Sequence, residues 1–97
     1  MKYAVLKMCS SSNMFEGELE LNASAELVQF GEDRNAALDY IESEIKSITD
    51  PDGFGCEINI EESSVQDDSG RTVSYEVNFD YEFDSKEICK LELIELQ

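Results

Sequence analysis

The stretch that decides the fold is Val73-Ser74-Tyr75-Glu76-Val77-Asn78-Phe79-Asp80-Tyr81-Glu82-Phe83-Asp84. Val73, Tyr75, Val77, Phe79, Tyr81 and Phe83 occupy every second position, and Ser74, Glu76, Asn78, Asp80, Glu82 and Asp84 fill the gaps. Successive side chains of a strand point to opposite faces, so this alternation predicts a strand with one apolar face and one acidic face. The apolar face needs a cover, which the rest of the chain must supply.

Upstream, Asp67-Asp68-Ser69-Gly70 has the composition of a hairpin turn. Before it, Cys56, Ile58 and Ile60 alternate with Glu57, Asn59 and Glu61, which predicts a partner strand. Downstream, a turn near Ser85-Lys86 leads into a final strand over Ile88–Leu96. The cover is a helix from Asp33 or Arg34 to Ile48, in which Ala37, Tyr40, Ile41, Ile45 and Ile48 recur at steps of three and four and so share one face. Glu32 and Asp33 stand at its start, where acids suit the positive end of the helix dipole, and Asp50-Pro51 stops it.

The N-terminal third reads as more strands. Lys2–Met8 is apolar on both faces apart from its lysines, as an internal strand would be. Cys9–Met14, with three serines and an asparagine, reads as a loop. Glu16–Leu21 predicts a half-buried strand with Leu19 and Leu21 on one side and Glu18 and Glu20 on the other, and Glu26–Phe30 a short third strand. The expected product is a single α+β domain over residues 1–97. It has an antiparallel sheet of about five or six strands with one helix packed on one face, in the order β-β-(β)-α-β-β-β.

Charge is the dominant compositional feature. Seven basic residues stand against 23 acidic ones, for a net charge of −16, and there is no histidine. Such a chain is repelled by a phosphate backbone, so direct nucleic-acid binding is not expected, whereas a basic partner is attracted. No run of 18 apolar residues exists, so no membrane-spanning helix is expected. The opening Met1–Lys7 is too short and too soon polar for a secretory leader, and a cytoplasmic setting is the expectation. Three cysteines, Cys9, Cys56 and Cys89, with no CxxC pair, suggest reduced thiols, at least two of them packed as small apolar groups, and no disulfide framework.

The acids are also placed together by the alternation. With the aromatic row facing the helix, Glu76, Asp80, Glu82 and Asp84 face outward, and Glu57, Glu61, Glu18 and Glu20 are expected to join them from neighbouring strands. Alternate residues lie ~6.8 Å apart along a strand and strands ~4.8 Å apart, a charge lattice comparable in density to a nucleic-acid backbone. Like charges facing each other across a sheet oppose folding, so a partner-binding role is the reading that explains keeping them. A merely solvated sheet face and adaptation to high salt are the alternatives.

Other chemistries fit less well. Asp50, Asp52, Gly55 and Glu61 match positions 1, 3, 6 and 12 of a calcium loop, but Phe54 occupies a ligand position and the segment leaves as a strand where a helix is required. A helix-to-strand turn is the simpler reading, and no metal or other cofactor is expected. With no histidine, no G-x-S-x-G and no phosphate loop, the usual catalytic residues are missing, and an enzyme is not expected. The aromatic row is set among acids, where base-stacking platforms are set in basic surfaces, so it reads as core. The final strand has apolar residues on both faces, which raises the expectation of a homodimer covering one of them.

A short, strongly acidic α+β domain with stretches such as Glu76-Val77-Asn78-Phe79-Asp80-Tyr81-Glu82-Phe83-Asp84 resembles phage-encoded anti-CRISPR proteins and other DNA-mimic inhibitors of restriction enzymes and uracil-DNA glycosylase. The resemblance spans the whole chain but is one of composition, with no motif carried over residue by residue. It implies a non-catalytic inhibitor in a bacterial cytoplasm. Its carboxylates would occupy the basic groove of a nucleic-acid-binding protein or CRISPR surveillance complex. The alternative is an acidic interaction module that binds a basic cellular partner away from any DNA site.

Overall fold

The computed structural model describes residues 1–15, 17–48, 57–81 and 85–96. The described residues form five strands and one helix: β1 (Lys2–Phe15), β2 (Glu18–Gly31), α1 (Arg34–Ile48), β3 (Glu57–Gln66), β4 (Thr72–Tyr81) and β5 (Lys86–Leu96). The strands form one antiparallel sheet in the order β2-β1-β5-β4-β3, so the fold is α+β as the sequence predicts. Among the described residues no helix is long and apolar enough to cross a membrane.

The helix packs on one face of the sheet and the core lies between them. Leu38 and Ile41 of α1 are fully buried against Val5 of β1, Val77 of β4 and Leu91 of β5, and Ala37, Tyr75, Phe79 and Cys89 complete the cluster. The alternation in β4 produces this directly: Tyr75, Val77 and Phe79 are buried, while Glu76, Asn78 and Asp80 lie on the helix-free side. Leu38 joins the core beside the residues expected from the helical period, and Tyr40, Ile45 and Ile48 pack at its margin.

Local chemistry fixes the ends. The Asp33 carboxylate accepts a hydrogen bond from the Ala36 backbone N–H at 3.0 Å and caps α1. In the β3–β4 hairpin the Asp67 carboxylate accepts from the Ser69 N–H (2.9 Å), the Ser69 hydroxyl (2.7 Å) and the Arg71 N–H (3.0 Å). Gly70 then turns the chain at a φ of 86°, a left-handed conformation that favours glycine.

Three expectations are corrected. Cys9–Met14 is not a loop but the second half of β1, and the strands expected over Glu16–Leu21 and Glu26–Phe30 are not separate, because Glu18–Leu21 and Glu26–Phe30 are parts of the one strand β2, Glu16 lying outside the described residues. The small residues Asn22 to Ala25 carry only a weak hydropathy signal, yet they pair in register with Ser11 to Met8, because ladder hydrogen bonds are made by the backbone. Leu19 and Leu21 are not half-buried but exposed. Leu21 pairs with Ser12 at Ser12↔Lys86, the outermost β1–β5 pair, Leu19 lies beyond it, and both are on the face away from the helix, so neither meets the core. The molecule is elongated accordingly, 49 × 23 × 20 Å.

Candidate interaction surface

Register decides which acids can act together, because directly opposed residues share a face of the sheet. Glu76 pairs with Ser63 and Lys90, Asp80 with Asn59 and Lys86, and Glu61 with Asn78. Glu61, Glu76 and Asp80 therefore lie together on the helix-free face, as expected. Glu18 and Glu20 do not join them. They pair with Phe15 and Asn13, and the unbroken register from there to Cys9↔Cys89 puts them on the helix side of the sheet, beyond the helix. Glu57 opens β3 opposite Tyr81, and Glu82 and Asp84 lie outside the described residues.

The acids near β4 are also partly balanced. Lys86 and Lys90 stand opposite Asp80 and Glu76, and the Lys90 ammonium lies 4.0 Å from Glu92. The remaining cations are largely taken up on the helix side. Lys7 donates to Glu44 at 2.7 Å, which holds its ammonium above its ordinary range despite partial burial. Arg34 pairs with Asp67 at 3.0 Å. Arg71 donates to Glu42 and Asp39, and these carboxylates raise its affinity for its proton. Asp67 in turn is held well below the usual carboxylate range by its hydrogen bonds from Ser69 and Arg71 and by Arg34. Among the described residues, Glu18, Glu20 and Glu26 of β2 and Glu61 of β3 make no ion pair. Uncompensated charge thus sits on both edge strands.

The helix-free face carries a second feature. Leu19, Leu21 and Leu27 of β2, Ile88 of β5 and Val65 of β3 all lie on it and are 60%, 69%, 49%, 43% and 58% exposed. Leu6 and Met8 of β1 share that face, and a shallow groove of about 450 Å³ runs between Met8, Ser10, Ala23, Ala25, Ile88 and Lys90. The face is therefore two-toned, apolar over β2 and β1 with Ile88 of β5, and charged from there on, where Lys86, Lys90 and Glu92 of β5 meet the acids of β4 and β3. The sequence did carry a signal for the apolar part: Leu19, Leu21, Ala23, Ala25 and Leu27 fall at every second position, although the two alanines weaken it.

Among the described residues no group of cysteine and carboxylate side chains is placed to hold a metal ion. The calcium-like stretch 50–56 lies outside the described residues. No family model matches the chain, and neither a curated protein nor a solved structure is found to be similar to it.

Proposed function

We propose that this chain is a non-catalytic acidic inhibitor that occupies the basic nucleic-acid-binding groove of a bacterial defence complex, of the anti-CRISPR or DNA-mimic kind. The observation that carries the reading is the disposition of charge. Four of the seven basic residues, Lys7, Arg34, Arg71 and Lys90, are engaged in ion pairs within the chain, while Glu18, Glu20, Glu26 and Glu61 on the two edge strands are left unpaired among the described residues. Four strand spacings of ~4.8 Å put those edges ~19 Å apart. A slab with a cross-section of 23 × 20 Å and acidic edges supports entry into a groove built for a duplex, where its carboxylates meet the lysines and arginines that otherwise hold phosphates.

The test is competition. The chain, immobilised, is exposed to a bacterial lysate rich in nucleic-acid-handling defence complexes, and bound protein is eluted with duplex DNA. The expected result is DNA-displaceable capture that weakens steeply with salt and is lost when Glu18, Glu20, Glu26 and Glu61 are together changed to Gln. A partner that duplex DNA does not displace, or capture indifferent to the four substitutions, overturns the reading.

A further inference from the structure

We propose that the apolar half of the helix-free sheet face is a docking site for a single amphipathic helix of a partner protein, seated along β2-β1-β5 with basic residues on the flank that faces β4. The inference does not require the partner to bind nucleic acid.

Three observations carry it. The first is exposure: four large apolar side chains, Leu19, Leu21, Leu27 and Ile88, open on this half of the face, and an antiparallel sheet ordinarily leaves its solvent face polar. The second is shape. From Leu21 to Leu27, the part of β2 that has both β1 and β5 beside it, is six steps of ~3.4 Å, or ~20 Å, the length of a helix of ~14 residues, and Leu19 extends the apolar row further. From β2 to β5 is two strand spacings, or ~10 Å, against a helix diameter of ~10–12 Å. Ser10, Ala23 and Ala25 give the groove small side chains and Met8, Ile88 and Lys90 line it beside them, with Leu21 and Leu27 next along β2 on the same face, so a large apolar residue from above finds room and contact. The third is charge. The side of the stripe toward β4 and β3 carries Glu61, Glu76, Asp80 and Glu92 against Lys86 and Lys90, and the whole chain stands at −16. A second copy of the chain would bring another −16 to this face. The stripe, roughly 20 by 10 Å, is also far smaller than the ~800 Å² that each partner gives to a stable interface between two folded chains, and matches the narrow apolar face of one helix. A basic amphipathic helix meets both constraints, its apolar positions spaced i, i+3, i+4 and i+7.

The experiment uses a fluorescent 18-residue helical peptide with leucine at those positions and lysine on the flanks. Two controls accompany it, one with the leucines replaced by serine at the same charge and one with the lysines replaced by glutamate. The expected result is saturable binding of the first peptide only, weakened about tenfold or more by Leu21→Ser with Leu27→Ser, and unchanged by Glu18→Gln with Glu20→Gln on the opposite face. Both leucines are exposed, so their loss leaves the core intact, which circular dichroism of the variant verifies. Equal binding of the serine peptide would reduce the site to charge alone and overturn the inference. So would a dimer of the chain in solution that dissociates on the two leucine substitutions, because the occupant would then be a second copy. These outcomes are separate from displacement by DNA, which tests the inhibitor reading.

Discussion

Cys9 of β1 and Cys89 of β5 stand directly opposite each other across two neighbouring strands, on the helix side of the sheet. Cys89 is buried and Cys9 is half-buried. Opposed antiparallel residues have Cα atoms ~4.5 or ~5.5 Å apart, within the ~4.4–6.8 Å that a disulfide spans. Burial, with Cys9 and Glu87 close by, pushes the Cys89 thiol far above its usual range, so Cys9 is the thiol that reacts first.

Incubation with a low-molecular-weight disulfide is therefore expected to form a mixed disulfide on Cys9, which Cys89 then displaces, releasing a second small thiol. In a Cys56→Ser background, titratable thiols fall from two to none with no mass retained from the reagent. In Cys89→Ser the mixed disulfide persists and is seen as added mass. The bridge closes a loop of 80 positions (89 − 9), which by the chain-entropy argument stabilises the fold by roughly 4 kcal/mol, read as a higher urea midpoint.

Side chains of one chemical type are expected to differ by their place. Leu38 is fully buried between helix and sheet, so Leu38→Ala costs about 2–5 kcal/mol in urea unfolding. Leu21→Ser, on the exposed ribbon, changes stability by less than about 0.5 kcal/mol. A large loss at Leu21 would mean that the ribbon is covered.

At high pH two buried groups act in the same direction. The Tyr75 hydroxyl donates to Glu62 at 2.9 Å, and burial followed by that carboxylate raises it above its ordinary 10.0, as burial raises Cys89 above 9.0. The unfolded chain then gives up these protons first, so stability is full below the ordinary values and falls as pH rises past them. Denaturation midpoints measured from about pH 8 to pH 11 should decline, and the decline should be shallower in Tyr75→Phe and in Cys89→Ser.

At low pH the β3–β4 turn acts with the opposite sign. Asp67 is held below its ordinary 3.8 in the folded chain, so its contribution is present above that value and is lost as pH falls below it. Asp67→Asn should lower stability at neutral pH and flatten the acid limb of the stability curve.

Net repulsion gives a last expectation. With −16 on 97 residues, raising sodium chloride from about 10 mM to about 150 mM should raise the thermal midpoint, because screening relieves repulsion among exposed carboxylates. A chain that stays unfolded until molar salt is reached would instead point to salt adaptation.

How far the sequence could be read depended on whether local pattern or long-range register set each feature. The alternation of Val73 to Tyr81, the helical spacing of Ala37, Ile41 and Ile45 and the Asp67–Gly70 turn are local, and each stands where the pattern puts it. Ser10–Ser12 show no hydropathy period, because they lie beyond the helix-covered core and are held by backbone pairing to β2 and β5, so the residues of this half of β1 alone do not mark a strand. The acidic surface was legible only in part. That Glu76 and Asp80 share a face follows from one strand. That Glu18 and Glu20 lie on the other face follows from the register of β2 on β1 and β1 on β5, which the residues of β2 alone do not state.

The strand order has a consequence for how the protein is made. The β1–β2 and β3–β4 hairpins each pair with close neighbours in the chain, but β5, translated after both, is the central strand that joins them. Until β5 has left the ribosome, β1 and β4 each present an unpaired edge and the core is open along its middle. The sheet therefore closes late, by insertion of a strand between two waiting hairpins, and this non-local pairing is expected to set the folding rate.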